Sequence, residues 1–245
     1  MPIGFSLQSY QTILADPAIL RYYLNTILYA GTGTITSLLL TSLMAYPLTV
    51  SEFKGKKVIN VLLLITMFFG GGMIPTYLTI RNLHMIDTLW AMILPGAISA
   101  WNVIMFVNFF KEIPDSLRES ATIDGAGHVR ILFAIVIPLS KALLATIALF
   151  TIVGFWNDYF NAMLYLDSTT KMPIQIFLRK ILVNMEINRG NTQDTDMSRL
   201  LDMINANPRT VKAAATIITI IPILCVYPFL QKYFTKGLMI GAVKE

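Results

Sequence analysis

The chain of 245 residues is 55% hydrophobic and 13% charged, with a formal net charge of +5. Soluble domains contain about 25% charged residues, so this composition excludes an ordinary soluble domain and indicates an integral membrane protein. The lysines flank apolar runs, which favours a role in membrane topology and headgroup contact over nucleic-acid binding. The lone cysteine, Cys225, rules out a disulfide within the chain.

Apolar runs long enough to cross a membrane as helices recur along the sequence. The sequence therefore predicts an all-α protein, a polytopic bundle of membrane helices in one transmembrane domain that covers residues 1–245. The five predicted spans are residues 22–51, 58–80, 88–110, 142–166 and 213–231.

Small and helix-breaking residues distinguish the first two runs. The first has a side of small residues, among them Gly31, Gly33 and Ser37, which is typical of a helix that packs closely on another. The second contains Gly70–Gly72 and Pro75, which predict a bent or unwound helix. Lipid cannot satisfy the freed backbone groups, so we expect this part to face protein or a water-filled path.

Basic residues in a short loop set the topology. Lys54, Lys56 and Lys57 follow the first run and mark its loop as cytoplasmic. Alternation then places residues 111–138, the charged segment, inside the cell and residues 167–210, the outer segment, outside it. The start of the outer segment has the pattern of a short amphipathic helix, which would lie at the membrane interface or against a partner.

The charged segment is predicted to form two short helices with a break between them. Pro114 and Asp115 suit a first helical turn, where a missing N–H costs nothing and a carboxylate meets the positive end of the helix dipole. Asp124 and Gly125 end that helix, and Asp124 is expected to cap the next one. Gly125 and Gly127 allow a tight turn and the close approach of another backbone.

The charged segment contains, in this order, Glu119-Ser120-Ala121, Asp124-Gly125-Ala126, and Phe133 with Pro138-Leu139. In these residues it resembles the EAA motif of the permease subunits of bacterial ABC importers. It departs from the motif at Ser120, where a second alanine is usual, and at Ala142, where a second proline is common. In that family the motif lies in a cytoplasmic loop whose short coupling helix docks into a groove of the ATP-hydrolysing subunit.

The resemblance implies a coupling role for a defined set of residues. An ordinary amphipathic connector between two membrane helices is the alternative interpretation. The implied ATPase-coupling residues are Glu119, Ser120, Ala121, Asp124, Gly125, Ala126 and Gly127.

Other stretches are similar to the maltose-type sugar-importer permeases, and closest to the branch that handles larger plant or microbial saccharides. They are residues 16–26, the run GFWNDYF at 154–160 and the tail QKYFTKGLMIGAVKE. This resemblance implies the helical membrane bundle of a type I ABC importer permease. The family usually has six spans in this subunit, so either a further helix precedes Met1 in the gene or this member has five spans.

Polar and aromatic residues gather near the end of the fourth run. Asp158 is the only charged residue within a predicted span, and a charge at a helix centre costs about 2.5–3.5 kcal/mol on insertion scales, so we expect it to face the bundle interior or water. Such a lining suits a sugar, because amides and carboxylates bind hydroxyls while aromatic rings stack on the pyranose. The alternative is an interfacial aromatic belt, with Asp158 paired to a neighbouring helix. The candidate path residues are Asn102, Trp156, Asn157, Asp158, Tyr159 and Asn161.

Motifs for catalysis, metal binding and nucleotide binding are missing from the sequence. The pattern G-x-x-x-x-G-K-[S/T] does not occur, so the chain itself is not expected to bind ATP. His84 and His128 are far apart, without ligands at metal spacing, and no nucleophile–base pair stands out. We therefore predict that the chain is not an enzyme and holds no metal or cofactor, with ATP and Mg²⁺ bound by the partner ATPase.

The resemblance to sugar-importer permeases implies that the chain is the pore-forming subunit of an ATP-driven importer for an oligosaccharide, in the bacterial cytoplasmic membrane. Its expected partners are a second homologous permease, an ATP-binding cassette ATPase dimer, an extracytoplasmic solute-binding protein, the saccharide and membrane lipid. The alternatives are a permease of the same fold for another solute, such as a polyamine or phosphate, and a channel or secondary carrier. A carrier is disfavoured because ion coupling usually leaves several intramembrane carboxylates, and a membrane-embedded enzyme because no catalytic constellation is present.

Overall fold

The computed structural model describes residues 7–187 and 208–241. Within these two ranges the chain forms helices and turns without a β-strand, which confirms the predicted all-α class. Short 3₁₀ turns lie at Pro47–Thr49, Leu94–Gly96 and Thr169–Lys171, and a π-helical turn at Leu132–Val136 joins the short helices His128–Ile131 and Ile137–Leu139. In chain order the helices are α1 (Gln8–Ala15), α2 (Pro17–Ala45), α3 (Lys56–Phe68), α4 (Met73–Asn82), α5 (Leu89–Ile93), α6 (Ala100–Lys111), α7 (Asp115–Ile123), α8 (His128–Ile131), α9 (Ile137–Leu139), α10 (Lys141–Trp156), α11 (Tyr159–Tyr165), α12 (Ile174–Ile187) and α13 (Pro208–Gly241).

The candidate membrane spans are one long helix and three bent helix pairs. Pro17–Thr49 is long and apolar enough to cross a membrane by itself. The pairs α3 with α4, α5 with α6, and α8–α9 with α10 qualify only if each counts as one span, bent by 117°, 58° and 82°. By length and composition the described residues thus contain up to four spans. The first three predicted runs overlap the first helix and the first two pairs, whereas the fourth, residues 142–166, covers α10 and α11. The fifth, residues 213–231, lies within α13.

The glycine-rich part of the second run breaks its helix, as predicted. α3 ends at Phe68, α4 begins at Met73, and Gly72 has a left-handed φ of +85°. Residues with a Cβ rarely adopt that conformation, so glycine suits the bend. Gly70–Gly72 are exposed among the described residues, so the prediction that this part faces protein or a water-filled path is not met within them.

Two apolar clusters hold the helices together. The first joins α2, α3, α6 and α8–α10, and its centre includes Phe106 and Phe110, fully buried with ring centroids 5.5 Å apart. The second joins α1, α2, α10, α12 and α13 around Ile19 and Trp156. Because lipid is as apolar as these side chains, close packing rather than escape from water holds such helices together.

α2 and α10 lie close together because α2 presents small residues to its neighbour. Gly33 is buried, and a Cβ placed on it would lie 2.6 Å from ring atoms of Phe155. Ser37, Thr41 and Ser42 continue the same buried side of α2. This confirms the predicted packing face of the first run and fixes α10, whose last residue is the candidate path residue Trp156.

α12 is the amphipathic helix predicted at the start of the outer segment. Its Ile174, Phe177 and Ile181 belong to the second cluster, together with Val211 and Ala214 of α13. Its apolar side therefore packs on helices of the same chain. The rest of the outer segment, residues 188–207, lies outside the described residues.

Candidate coupling helix and translocation cavity

α7 is the first of the two helices predicted in the charged segment. Pro114 precedes it in an extended conformation, with φ −56° and ψ 132°, and the Pro114 carbonyl accepts a hydrogen bond from the Leu117 N–H at 3.2 Å. Asp115 occupies the first turn, where its carboxylate stabilises the positive end of the helix dipole. The prediction for Asp115 is therefore confirmed, whereas Pro114 lies just before the first turn, at the N-cap position.

The end of α7 explains the glycine and alanines of the motif. Gly125 has a left-handed φ of +80°, which glycine adopts without steric cost. The Gly125 N–H donates to the Thr122 carbonyl at 3.0 Å, and the Ala126 N–H donates to the Ala121 carbonyl at 2.9 Å. This pair of bonds is the Schellman arrangement that closes helix C-termini. Ala121 and Ala126 also pack against the first cluster, so the turn is attached to the core.

The predicted cap at Asp124 is wrong. Asp124 directly follows α7, whereas α8 begins only at His128 and has Gly127 at its N-cap position, without a side-chain cap. Asp124 thus lies three residues before the position from which it could cap α8. Gly127 has φ −74° and ψ 162°, a conformation open to any residue, so the turn itself requires glycine only at Gly125.

Arg118 attaches α7 to the membrane helices, a role that the sequence did not reveal. Its guanidinium donates to the Phe110 carbonyl at the end of α6 and lies 3.5 Å from the Asp115 carboxylate. The same group lies over the ring of Tyr46 at the end of α2, 6.0 Å from the ring centroid. The Arg118 side chain is only 12% exposed, so α7 is held against both helices by a nearly buried cation.

The other side of α7 is open. Ile123 is 86% exposed and Leu117 is 44% exposed. A cavity of about 530 Å³ separates α7 from the turn and loop after α2, and its lining includes Glu52, Glu119 and His128. The implied coupling residues accordingly divide into two sets. Ala121 and Ala126 point toward the core, whereas Glu119, Ser120, Asp124, Gly125 and Gly127 are exposed.

The fourth predicted run is divided at the candidate path residues. α10 ends at Trp156, and Asp158 leaves the helical conformation, with φ −80° and ψ 77°. The Asp158 carboxylate accepts hydrogen bonds from the Asn161 N–H at 3.1 Å and from the Asn161 side-chain amide at 2.7 Å. Asp158 therefore caps α11, which is why one continuous helix through residue 166 was a wrong prediction.

A small cavity brings two of the candidate path residues together. It has a volume of about 280 Å³, and Asn102 of α6 and Asp158 both line it. Ser37 of α2 and Thr151 of α10 add hydroxyl groups. The remaining lining residues are Gly96, Phe150, Gly154 and Phe155. Amide, hydroxyl, carboxylate and aromatic groups around one cavity form a surface that can bind the hydroxyls and apolar faces of a sugar.

The other candidate path residues lie elsewhere. Trp156 is 5% exposed within the second cluster, and its indole N–H donates to the Thr219 carbonyl at 3.1 Å, so its ring is not available to a sugar. Asn157 is exposed and accepts a hydrogen bond from Gln175 at 3.1 Å. Tyr159 is 44% exposed, with the Arg179 guanidinium 5.8 Å from its ring centroid. Asn161 is bound to Asp158, so this carboxylate is satisfied within its own loop rather than by a neighbouring helix.

Sequence reasoning missed the lining residues on α2 and α10. Ser37 was predicted only as a small packing residue, Phe150 only as part of an apolar run, and Phe155 only as part of the run GFWNDYF that carries the family resemblance. The pattern of small residues on the first run was the signal that could have found Ser37, because a buried polar stripe on a membrane helix lies beside another helix or a cavity.

The bent helix pairs, the exposed helix that Arg118 anchors and the polar cavity beside α2, α6 and α10 are features of a helical bundle of the membrane type. The family described as "Binding-protein-dependent transport system inner membrane component" matches residues 28–240, and the chain belongs to this family. The family is one of transport components rather than catalysts. The resemblance to ABC importer permeases is thereby confirmed.

Relatives and a solved structure match nearly the whole chain. Protein LplC of Bacillus subtilis (strain 168) is 42% identical over 99% of this chain and 80% of its own length. The polygalacturonan/rhamnogalacturonan transport system permease protein YtcP of the same organism is 43% identical over 100% of this chain and 84% of its own length. The crystal structure of a bacterial ABC transporter involved in the import of the acidic polysaccharide alginate has a chain with TM-score 0.84 and 33% identity, over 96% of this chain and 81% of that one.

Proposed function

We propose that the chain is a pore-forming membrane subunit of an ATP-driven importer for oligosaccharides. The observation that carries this proposal is the match along the whole chain to YtcP, a permease protein named for polygalacturonan and rhamnogalacturonan transport. The structural likeness to a chain of an alginate importer supports it independently. The polar and aromatic lining of the small cavity suits the same class of solute.

The importer is completed by other subunits. An ATP-binding cassette dimer binds ATP and Mg²⁺ and hydrolyses ATP, an extracytoplasmic binding protein delivers the sugar, and a second homologous permease completes the pore in the bacterial cytoplasmic membrane. The bend between α3 and α4 is one argument for a neighbouring subunit within the membrane. Phe68 and Phe69 are each 76% exposed there, and lipid cannot form hydrogen bonds with the free backbone groups of the adjacent glycines.

α7 couples the ATPase to the pore. Its exposed residues, Glu119 and Ile123 among them, offer a surface for the ATPase, while Arg118 and the turn at Gly125 keep the helix rigid. From α7 the chain continues directly through α8 and α9 into α10, which lines the small cavity. Closure of the ATPases would push α7, and the connection through α8 and α9 would move α10. The pore would thereby switch between a state open to the outside and a state open to the inside.

The small cavity is one part of the translocation path. At about 280 Å³ it lies below the roughly 300–1,000 Å³ of ordinary ligand pockets, so it can hold only a portion of an oligosaccharide. The second permease would therefore supply the facing wall. Asn102 and Asp158 contribute polar groups on this side, and Phe150, which is 64% exposed, contributes an aromatic surface.

A screen of sugars on the assembled importer tests the function. The chain would be purified with its partner subunits and binding protein, placed in lipid vesicles, and ATP hydrolysis measured with oligogalacturonates, rhamnogalacturonan fragments and maltotriose. We expect at least one saccharide to stimulate hydrolysis, whereas inorganic phosphate and spermidine do not. Stimulation by phosphate or spermidine alone would overturn the assignment to sugars.

Cross-linking tests the coupling role of α7. A cysteine at Ile123, in a chain whose Cys225 is replaced by serine, should cross-link to the ATPase in the assembled complex. A cysteine at Phe150, which is exposed but lies in α10 beside the cavity, is the control and should not. Absence of the Ile123 cross-link in complexes that contain the ATPase would contradict the assignment of α7.

A further inference from the structure

One carboxylate, Asp87, joins two parts of the chain that are about eighty residues apart. Asp87 lies in the turn between α4 and α5, and its side chain accepts hydrogen bonds from the N–H groups of Asp167 and Ser168 at 3.2 and 3.0 Å. It also accepts from the Ser168 hydroxyl at 2.6 Å and forms an ion pair with Lys171 at 2.7 Å. The beginning of the outer segment is therefore bound to this turn through both oxygens of one carboxylate.

The same part of the outer segment is held from its other side by α2. The Asn25 side-chain amide donates to the carbonyls of Thr170 and Met172 at 2.9 and 3.0 Å. The Tyr29 hydroxyl donates to the Lys171 carbonyl at 2.7 Å, and the Thr26 hydroxyl accepts from the Ile174 N–H at 2.8 Å. Residues 167–174 thus lie between α2 and the Asp87 turn, with their polar groups bound on both sides.

The backbone at Asp87 is strained. Asp87 has φ +59° and His84 has φ +53°, and they are the non-glycine residues with positive φ in the part of the chain that the structure describes. Such conformations are uncommon for residues with a Cβ and persist where the surroundings hold them in place. Strain of this kind tends to occur where position matters for function.

The Asp87 turn also contacts the end of α11. The Asp87 N–H donates to the Tyr165 carbonyl at 2.8 Å, and the Tyr165 ring stacks on Tyr77 of α4 at 6.4 Å, with the rings 9° from parallel. α11 has seven residues, so it is about 10 Å long, at 1.5 Å per residue. Its other end is capped by Asp158, which lines the small cavity. One short helix therefore links the Asp87 contacts to the cavity.

From these contacts we infer that Asp87 is a positioning residue for transport. It holds the beginning of the outer segment on α4 and α11, so that a displacement of the outer segment reaches Asp158 and the cavity. This inference rests on the proposed function, because it requires a solute that arrives from outside and a path that responds to it. A single exposed ion pair would be too weak for this task, but here one carboxylate binds four donors on three residues.

Two substitutions separate the side chain from the backbone strain. Asp87→Gly removes every side-chain contact yet accepts the positive φ. Asp87→Asn keeps one oxygen acceptor and tolerates the same φ, but it removes the negative charge and replaces the second acceptor oxygen with an NH₂ donor. Asp167→Gly is the matched control, since Asp167 is exposed and glycine retains the N–H that donates to Asp87.

The experiment measures ATP hydrolysis by the complete importer in lipid vesicles, with and without binding protein and the saccharide that stimulates the wild type most. For Asp87→Gly we expect stimulated hydrolysis to fall at least about fivefold, the lower range of measured coupling between sites, while basal hydrolysis stays within about twofold. Asp87→Asn should recover part of the stimulation, and Asp167→Gly should match the wild type.

The possible failures are distinguishable. A wild-type complex that no saccharide stimulates would overturn the proposed function itself. A stimulated wild type with an equally stimulated Asp87→Gly variant would overturn only the role of Asp87. A parallel fall of basal activity, stimulated activity and yield of complex, without recovery in Asp87→Asn, would also overturn it, because it would show a merely structural contribution.

Discussion

Replacement of Gly125 by valine should uncouple the importer without unfolding the chain. Gly125 has φ +80°, and a Cβ placed on it would meet nothing within 4 Å in this chain. The expected harm therefore arises from backbone conformation and not from a clash inside the subunit. A β-branched residue is a genuine outlier at such a φ, more so than alanine.

The magnitude follows from the two ways in which the chain can respond. If the turn persists, the left-handed conformation costs about 1–2 kcal/mol for a residue with a Cβ. If the turn rearranges, the bonds from Gly125 and Ala126 to the end of α7 are lost, at about 0.5–1.5 kcal/mol each. A cost of about 1 kcal/mol lowers the population of the native turn about fivefold, and a cost of about 2 kcal/mol lowers it about thirtyfold.

The assay compares Gly125→Val with Gly127→Val in the complete importer. Gly127 also has open space around it, but its φ of −74° is allowed for valine, so it is a matched control two residues away. Gly125→Val should insert into the membrane normally, retain ATPase poorly on purification and lose sugar-stimulated hydrolysis. Gly127→Val should keep most of both.

Two results would refute this reasoning. Full ATPase binding and full stimulation in Gly125→Val would show that the turn does not transmit work. Equal loss in both variants would show that any side chain at this surface is harmful, so the positive φ of Gly125 would not be the cause.

Three other perturbations probe the packing, the cavity and the outer side. Gly33→Ala would place a Cβ 2.6 Å from the Phe155 ring, so we expect about 1–3 kcal/mol of destabilisation and a change in which sugars stimulate ATP hydrolysis. Gly31→Ala is the control. It has nothing within 4 Å of the added Cβ, so it should change neither the melting temperature nor the set of stimulating sugars. Trp156→Ala should cost about 3–5 kcal/mol in thermal unfolding of the purified complex, since the indole is buried, and an unchanged melting temperature would contradict its place in the core. Hydrogen bonds from Lys171 and Ser168 hold the pKa of Asp87 well below its usual range; this carboxylate therefore contributes its stability above the ordinary value of about 4 and loses it only as pH falls further. Hydrogen exchange at the Ser168 amide, corrected for intrinsic rates, should show constant protection from about pH 7 down to about pH 3, and a loss of protection near the ordinary value of about 4 would contradict the depressed pKa.

Helix breaks and helix ends that depend only on residues adjacent in the sequence could be predicted. The break at Gly70–Gly72 and both ends of α7 depend on local backbone chemistry, namely missing Cβ atoms, a proline and the turn at Gly125. The cap at Asp124 failed although it was also local, because the spacing between the helices was longer than the prediction assumed.

Features that depend on packing between distant helices could not be predicted. Trp156 and Asp158 are two residues apart, yet Trp156 is buried against α13, whereas Asp158 lines a cavity with residues of α2 and α6. Nothing in the local sequence says which direction each side chain takes once α10 ends. Asp87 gave no signal either, because its partners lie in a different part of the chain.

Uptake of a labelled saccharide into vesicles that contain the complete importer tests the central claim most directly. In vesicles with the ATPase and ATP inside and the binding protein outside, the wild-type importer should accumulate the saccharide that stimulates hydrolysis. The same complex with Gly125→Val should not accumulate it. Accumulation that proceeds without ATP, or that is equal in the wild type and Gly125→Val, would contradict a saccharide importer driven through α7.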